Sequence, residues 1–582
     1  METWWSKEEE SRSVSGADLK DQQTMDSIRD KDGCIPKSTQ MDTISVKIPE
    51  EMQKITPISA NQLRKTELHC VDQEKKLLNL TTTIPVMGVE RKPILLNNAI
   101  KRAGLPMRPL IGRITRSLIF SAVSVSLASF QFGYNSGCVN EPALLVIEWI
   151  VLSHERMYNT VLDQQTAKFI WSMVVSVFGV GAAIGGLLSA MLADKAGRRG
   201  GLFYTNIIAF LAAALMGLAK TVDVYPMMLF GRFFIGIYAG LTVIVPMYLT
   251  EVSPIKFRGT FGSLHQLLIT VSILVSQLLG LPQIFGTADR WPLIFGFVAV
   301  PALLQVITLP MIPESPKFTL CIRGEVERAT QDLELLRATD KVQFEVERML
   351  AEAVRTRDEI SDMTSMLDMF RGSLLWPSTL TIVMMTAQQL TGINATVYYS
   401  TIIFKESGLT DKGSVYATFT MGIVNVAMTL VANILVDHHS FGRRILLLAG
   451  IVGMLVSSLL LVVSISLSRV GSAWASYCAV FFVLLFVMSF AAGPGGIPWF
   501  FPCEIFFTNA RANACALGAI AHWTMSFVVA ITFVFLNNSI RQFSFLMFFC
   551  FLILYFTFVW KYVPETNDLT IEEIVATIQQ KQ

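Results

Sequence analysis

At 582 residues, 52% hydrophobic and only 16% charged, with a mean hydropathy of +0.50, the chain is too apolar and too charge-poor for an ordinary soluble protein. Its net charge of +2 is near balance and offers no electrostatic footprint for a nucleic acid. The eight cysteines are scattered without CxxC or Cys/His spacing, which points away from a disulfide framework or a metal site and leaves most of them as small apolar fillers.

Residues 1–112 are rich in Lys, Glu, Asp, Ser and Thr with no sustained apolar period, as expected of a largely disordered tail. The stretch up to Leu110 holds no apolar signal-peptide core, so membrane insertion is expected to begin at the first span. The basic cluster Lys101, Arg102, Arg108, Arg113 and Arg116 places the tail in the cytoplasm, where the sequon Asn79-Leu80-Thr81 would be silent.

A bilayer is crossed by roughly 20 apolar residues in a helix. Such segments recur about twelve times: 117–138, 169–192, 201–219, 225–249, 260–282, 291–312, 376–404, 414–436, 445–467, 474–502, 512–536 and 542–562. The expected organisation is a tail 1–112, a six-helix bundle 113–312, a linker 313–373, a second six-helix bundle 374–563 and a tail 564–582. The linker is charged, with helix-like apolar spacing at Leu333, Leu335, Leu336, Val342, Phe344 and Val346, and reads as a cytoplasmic helical domain. Basic residues at Arg198, Arg199, Lys256, Arg258, Arg443, Arg444 and Arg511 fall on the tail's side, so both termini are expected inside a multi-pass membrane protein.

The halves repeat. Gly197-Arg198-Arg199, Glu251 with Arg258 seven residues on, and Pro313-Glu314-Ser315-Pro316 return as Gly442-Arg443-Arg444, Glu504 with Arg511 seven residues on, and Pro564-Glu565-Thr566. Three landmarks in one order, each offset by about 250 residues, mark an internal duplication. Parallel six-helix repeats around a midplane site are the plan of a major facilitator transporter.

One stretch of the seventh span stands out: Thr386 to Ser400, TAQQLTGINATVYYS, carries Gln388, Gln389, Thr391, Asn394, Tyr398 and Tyr399 around Gly392. Amides in hydrocarbon are costly without partners. Uncharged amides both donate and accept, which suits a neutral, hydroxyl-rich molecule better than an ion, although bonds between helices would also satisfy them. Gly392 is where a helix can loosen and let other groups approach its backbone.

The chain resembles the sugar porters of the major facilitator superfamily, and within them the facilitative glucose transporters of animals. The resemblance covers roughly 115–575 and rests on Phe132-Gly133-Tyr134-Asn135, Gly231-Arg232-Phe233, Pro246-Met247-Tyr248, Glu251-Val252-Ser253-Pro254 and His265-Gln266-Leu267. It also rests on Pro313-Glu314-Ser315-Pro316, the Thr386–Ser400 stretch, Gly493-Pro494-Gly495, Ile497-Pro498-Trp499 and Pro564-Glu565-Thr566. It implies an all-α fold of twelve transmembrane helices, a hexose substrate and no cofactor. The implied sugar contacts are Gln266, Gln388, Gln389, Asn394, Asn425, Phe490, Trp499 and Trp523, with His522 beside them. Amides would bond hydroxyls, and aromatic faces would cover the apolar side of a pyranose. The implied cytoplasmic gate comprises Arg198, Arg199, Arg232, Glu251, Arg258, Glu314, Arg443, Arg444, Glu504, Arg511 and Glu565, forming ion pairs between the bundles when the site faces outward.

Departures from the family pattern bear on the substrate. Ala491 and His522 look like the fructose-carrying branch, whereas Trp499 and Gly392-Ile393-Asn394 look like the glucose branch, and Gly496 replaces a proline. Ahead of Gly442 stand His439, Ser440 and Phe441, with Asp437 displaced by two positions, so the second-half gate is expected to be weaker or re-registered. Asn135 occupies the place of the aspartate of proton-driven porters and cannot titrate, which implies uniport. The expected function is a facilitative hexose carrier, glucose favoured, with a fructose, mixed-hexose or polyol carrier and a non-transporting sugar sensor as alternatives. No nucleophile, base or metal set suggests an enzyme. A sequon, Asn537-Asn538-Ser539, falls between the last two spans, in what reads as a short outer loop.

Overall fold

A computed structural model describes residues 114–580 except 360–364, 395, 398–403, 405–408, 439, 471–472, 541–542, 568 and 570. The N-terminal tail with Asn79, together with Tyr398, Tyr399 and His439, therefore lies outside the described residues.

The first half runs through α1 (Arg116–Gly137), α2 (Ala143–Tyr158), α3 (Gln164–Ala196), α4 (Arg198–Val222), α5 (Pro226–Leu241), α6 (Ile244–Val252), α7 (Arg258–Leu279), α8 (Trp291–Gly296) and α9 (Ala299–Thr308). Side-chain oxygens start several of these helices by accepting from orphan amides: Thr115 from Leu118 in α1 at 3.1 Å, and Asp163 from Gln165 in α3 at 3.0 Å. The linker supplies α10 (Pro316–Cys321), α11 (Val326–Arg337) and α12 (Gln343–Glu359). The second half contains α13 (Leu375–Leu390), α14 (Asp411–Leu435), α15 (Gly442–Arg469), α16 (Ala473–Ala492), α17 (Ile497–Ile505), α18 (Thr508–Ile540), α19 (Ser544–Tyr562) and the terminal α20 (Ile571–Gln580).

Among the described residues, eleven helical stretches are long and apolar enough to cross a membrane. The seventh expected span, 376–404, differs. Its first helix, α13, ends at Leu390, and Gly392 follows with φ +85°, a left-handed conformation open to glycine at little cost. The ring of Phe548 on α19 occupies the space a Cβ at Gly392 would need. The helix α2 between the first two spans has no counterpart in the sequence expectation; Trp149 and Ile150 anchor it while Leu144 and Leu152 stay exposed. The backbone of Asn537–Ser539 continues α18 rather than forming the expected loop.

Burial follows the physics of an apolar solvent. Large apolar side chains such as Val123, Ile207 and Leu554 face outward, while Ser124, Gln131, Asn206 and Gln305 are buried within the first half. There Asn206 donates to Gln305 at 3.1 Å, and Gln305 donates to the Ser124 and Val125 carbonyls, each at 3.2 Å. One apolar core gathers mainly residues 118–309 and a second mainly residues 369–578. The halves meet where α3 packs on α18, α7 on α14, and α6 on α17.

The linker has its own small core of Leu320, Ala329, Leu333, Val342, Val346 and Met349. Leu335 and Phe344, counted in the sequence period, are exposed instead. The Thr115 hydroxyl donates to the Leu336 carbonyl at 2.6 Å and ties α11 to the start of α1.

Candidate functional site

The amides of α13 converge on a break between α16 and α17. Gly493, Pro494 and Gly495 interrupt the helical ladder there and leave carbonyls without helical donors. The side-chain nitrogen of Gln388 donates to two of them, Pro494 and Gly495, each at 2.8 Å. Its oxygen accepts from Nδ1 of His522 on α18 at 3.0 Å. The nitrogen of Gln389 lies 3.0 and 3.1 Å from the two ring nitrogens of His522. With Nδ1–H committed to Gln388, Nε2 is left to accept from Gln389, which assigns the tautomer. Beyond the break, Asn394 donates to the Gln389 oxygen and to the Ser526 hydroxyl, the latter at 3.0 Å. Ser526 lies one helical turn after His522, on the same face of α18.

Aromatic rings wall this polar chain. Trp499 of α17 lies 4.5 Å from His522 and 5.0 Å from His265 between ring centres, and Trp523 lies 5.0 Å from His522. The first half contributes Phe132, at 5.1 Å from Trp523 and 6.0 Å from Trp499, and Phe178, at 5.5 Å from Trp523. Trp499 and Trp523 are each 4% exposed. His265 receives or gives a 2.8 Å bond with the Ser129 hydroxyl. Phe132, Phe178, His265 and Ser526 were not singled out as site residues from sequence. The signals available were the position of His265 beside Gln266 and the helical spacing of Ser526 from His522.

Gln266 of α7 approaches the α16–α17 break at Gly496. Its side chain passes within 4 Å of the place a Cβ at Gly496 would take. It lines a small cavity with Ser263, Thr429, Asn433, Ala491 and Phe500. It makes no side-chain hydrogen bond to the described residues of the Gln388–His522 chain. Asn425 stands one turn before Thr429 on α14, accepts the Thr429 hydroxyl on its backbone carbonyl at 2.7 Å, and keeps its side-chain oxygen buried. Phe490 packs against Gly495 at the break. The structure thus joins Gln388, Gln389, Asn394, His522, Trp499 and Trp523, while among the described residues no hydrogen bond ties Gln266 or Asn425 to them.

At one end of the molecule the charged landmarks form two matching clusters. In the first half Arg198 holds Glu251 through two contacts of 3.1 Å. Glu314 accepts from the backbone amides of Arg198 and Arg199, each at 3.0 Å, and the Ser315 hydroxyl donates to Glu251 at 2.5 Å. In the second half Arg443 donates to Glu504 at 3.0 Å, Glu565 accepts from the amides of Arg443 and Arg444 at 2.9 and 3.1 Å, and Thr566 donates to Glu504 at 2.5 Å. Arg199 and Arg444 donate to the Ile312 and Trp560 carbonyls at 2.8 and 2.5 Å, each within its own half. The duplication read in the sequence is therefore repeated bond by bond. Gly197 and Gly442, at φ +85° and +61°, let the Glu314 and Glu565 carboxylates close on the helix starts.

These contacts correct the expectation for Arg198 and Arg443 alone, which bond inside their own halves, whereas the expected pairing between the bundles is made by Arg511 and Glu251. Arg511 of α18 reaches Glu251 at 3.0 Å. Asp437 accepts from the Gly259 and Thr260 amides at 3.1 and 2.5 Å, so the second half caps α7 of the first, just after Arg258. Asp437 also pairs with Arg443 at 2.8 Å. Its displacement in sequence thus leaves it fully engaged rather than weakening the cluster. Arg232 is a second correction. It lies away from this end, donating to the Asn135 carbonyl at 2.8 Å near the far end of α1, with its guanidinium 4.5 Å above the Phe178 ring. Outside the spans, burial pushes the Asp332 carboxyl on α11 up to about 6 against the pull of Arg328.

A family model described as sugar (and other) transporter matches residues 121–577. The chain is 52% identical over 472 residues to facilitated glucose transporter protein 1 of Caenorhabditis elegans, covering 81% of this chain and 92% of that one. It is 38% identical over 470 residues to solute carrier family 2, facilitated glucose transporter member 1 of Gallus gallus, covering 80% and 94%. The fold is similar to that of the major facilitator superfamily proton:xylose symporter XylE, with a TM-score of 0.69, 23% identity and coverage of 80% and 100%. With its all-helical membrane-spanning fold, its two matching halves and this match across most of its length, the chain belongs to the sugar (and other) transporter family.

Proposed function

We propose that the protein is a facilitative uniporter of hexoses, with D-glucose the favoured substrate, working by alternating access between its two halves. The observation that carries this reading is the Asn394–Gln389–His522–Gln388 chain. It is a row of uncharged donors and acceptors, backed by Trp499 and Trp523 and faced by Phe132 of the other half. Sugar hydroxyls would exchange with bonds these side chains now make to one another. Such exchange is nearly balanced in free energy, about 0.5–1.5 kcal/mol per bond, so the site holds its substrate loosely enough to release it. The names of the worm and chicken relatives, both facilitated glucose transporters, agree with it.

The charged end is read as cytoplasmic from the excess of arginine and lysine there, which supports both termini inside, and a plasma-membrane location belongs to the same proposal. Uniport follows from Asn135, whose amide donates to the Gln131 carbonyl at 2.8 Å and carries no titratable proton. A fructose carrier is the second reading, favoured by His522 in the polar chain and by the small Ala491 on the cavity beside Gln266. Proteoliposomes test both. Labelled glucose counterflow should be competed most strongly by unlabelled glucose, less by mannose, galactose and fructose, and should be unaffected by a protonophore. Stronger competition by fructose establishes the second reading, and accumulation that collapses with the protonophore rejects uniport.

A further inference from the structure

Cys503 and Cys515 place their sulfurs 3.4 Å apart. Cys503 lies in the last turn of α17, beside Glu504, and Cys515 lies in α18 one turn after Arg511 and on the same face. Both are at most 2% exposed. Neither sulfur takes part in the amide–imidazole chain or in the ion pairs of the charged end. They nevertheless join the two elements that carry those features: α17 bears Trp499 and Glu504, and α18 bears Arg511, His522 and Trp523.

We propose that Cys503 and Cys515 are a redox modification site, which a peroxide oxidant converts to a disulfide that pins α17 to α18 and slows opening of the charged end. A disulfide needs its sulfurs about 2.05 Å apart, so the thiols must close by about 1.3 Å, which side-chain rotation supplies. The chemistry balances. One thiolate attacks a peroxide oxygen, the O–O bond breaks, and the sulfenic acid forms while the departing oxygen leaves as water with the thiol's proton. The second sulfur then attacks the sulfenic sulfur, the S–O bond breaks, and a second water leaves. Two thiols are oxidised and one peroxide is reduced to two waters. A dithiol reductant reverses the step by exchange.

The effect on motion follows from the break at Gly493–Gly495. It separates α17 from α16, leaving α17 a short unit that can tilt while the rest of its span stays packed. A covalent link to α18 removes that freedom. Only this effect on flux rests on the alternating-access reading; formation of the bond does not. Full-length protein in proteoliposomes should be treated with hydrogen peroxide, alkylated, and digested without reduction. The expected results are a linked peptide pair containing Cys503 and Cys515, a several-fold slower glucose exchange, and recovery of exchange with dithiothreitol. Cys503→Ser and Cys515→Ser should each keep the untreated rate and lose both the link and the peroxide effect. Oxidation that spares this pair, or a link that leaves exchange unchanged, overturns the proposal. Vesicles without any hexose exchange before oxidation would reject the transport reading, while a missing linked peptide would still reject the modification site.

Discussion

Arg511 of the second half lies 3.0 Å from a carboxylate oxygen of Glu251 in the first, and the same carboxylate already holds Arg198 of its own half. Glu251 is therefore shared. When the halves part at this end, Glu251 keeps Arg198 and Ser315 and so gives up one charge-assisted contact without becoming a bare buried charge, while Asp437 gives up the Gly259 and Thr260 amides. That arrangement suits a gate that must break and re-form at every cycle.

Arg511→Ala should tilt the balance toward opening at the charged end. Loss of a hydrogen bond to a charged group is worth about 1.5–3 kcal/mol, roughly a 10- to 100-fold change in the ratio of the two states. A cysteine reporter at the charged end, scored by its alkylation rate, should react correspondingly faster while surface expression is retained. An unchanged alkylation rate would remove Arg511 from the gate.

Gln388 and Gln389 are neighbours with different duties. Gln388 fastens the Pro494 and Gly495 carbonyls, whereas among the described residues the Gln389 side chain bonds only other side chains, His522 and Asn394. Gln388→Ala strands buried carbonyls and should lower stability by about 2 kcal/mol along with at least tenfold slower transport. Gln389→Ala should slow transport comparably with a melting temperature close to the parent. Thermal unfolding in detergent beside vesicle uptake separates the two, and equal stability losses would contradict the division.

Gly197→Ala forces a side chain into a positive-φ position with Glu314 Oε2 only 2.5 Å from the new Cβ. Gly324→Ala meets φ +75° with nothing within 4 Å. The second change should cost the backbone term alone, about 1–2 kcal/mol. The first should cost more and also loosen the Arg198 and Arg199 amides. Melting temperatures of the two variants should fall in that order.

The Asp332 carboxyl, held up at about 6 by burial, makes the linker sensitive to pH. A carboxyl raised in the folded state binds its proton more tightly there than when unfolded, near 3.9. Its contribution is fully favourable below the unfolded value and is lost as pH rises through about 6. Asp332→Asn should therefore raise thermal stability at pH 7.5, have little effect at pH 4, and flatten the melting profile between them. A parallel shift at both pH values would assign the effect to packing instead.

Legibility in the sequence varied with the range of the interaction. Spans such as Gly442–Arg469 and Ser544–Tyr562 follow from apolar length alone, because each helix satisfies its own backbone in hydrocarbon. The paired landmarks Gly197/Gly442, Glu251/Glu504 and Glu314/Glu565 exposed the duplication, and the structure reproduces it in matching bonds. Arg232 was misplaced because its motif sits in the same span as Glu251, yet a helix of that length carries its two ends to opposite sides of a membrane. Asp437 read as displaced, although a carboxylate can cap any helix end within reach.

Composition and repetition by themselves determined that the chain spans a membrane many times, that it is built twice over, and that Gln388, Gln389 and Asn394 need partners. Only the tertiary structure decided which partners those are. Gln388 and His522 stand 134 residues apart, and Arg511 and Glu251 stand 260 apart. No period or spacing encodes such pairs, because a side-chain hydrogen bond depends on where two helices cross and how each is rotated. That choice is made by the packing of the whole bundle.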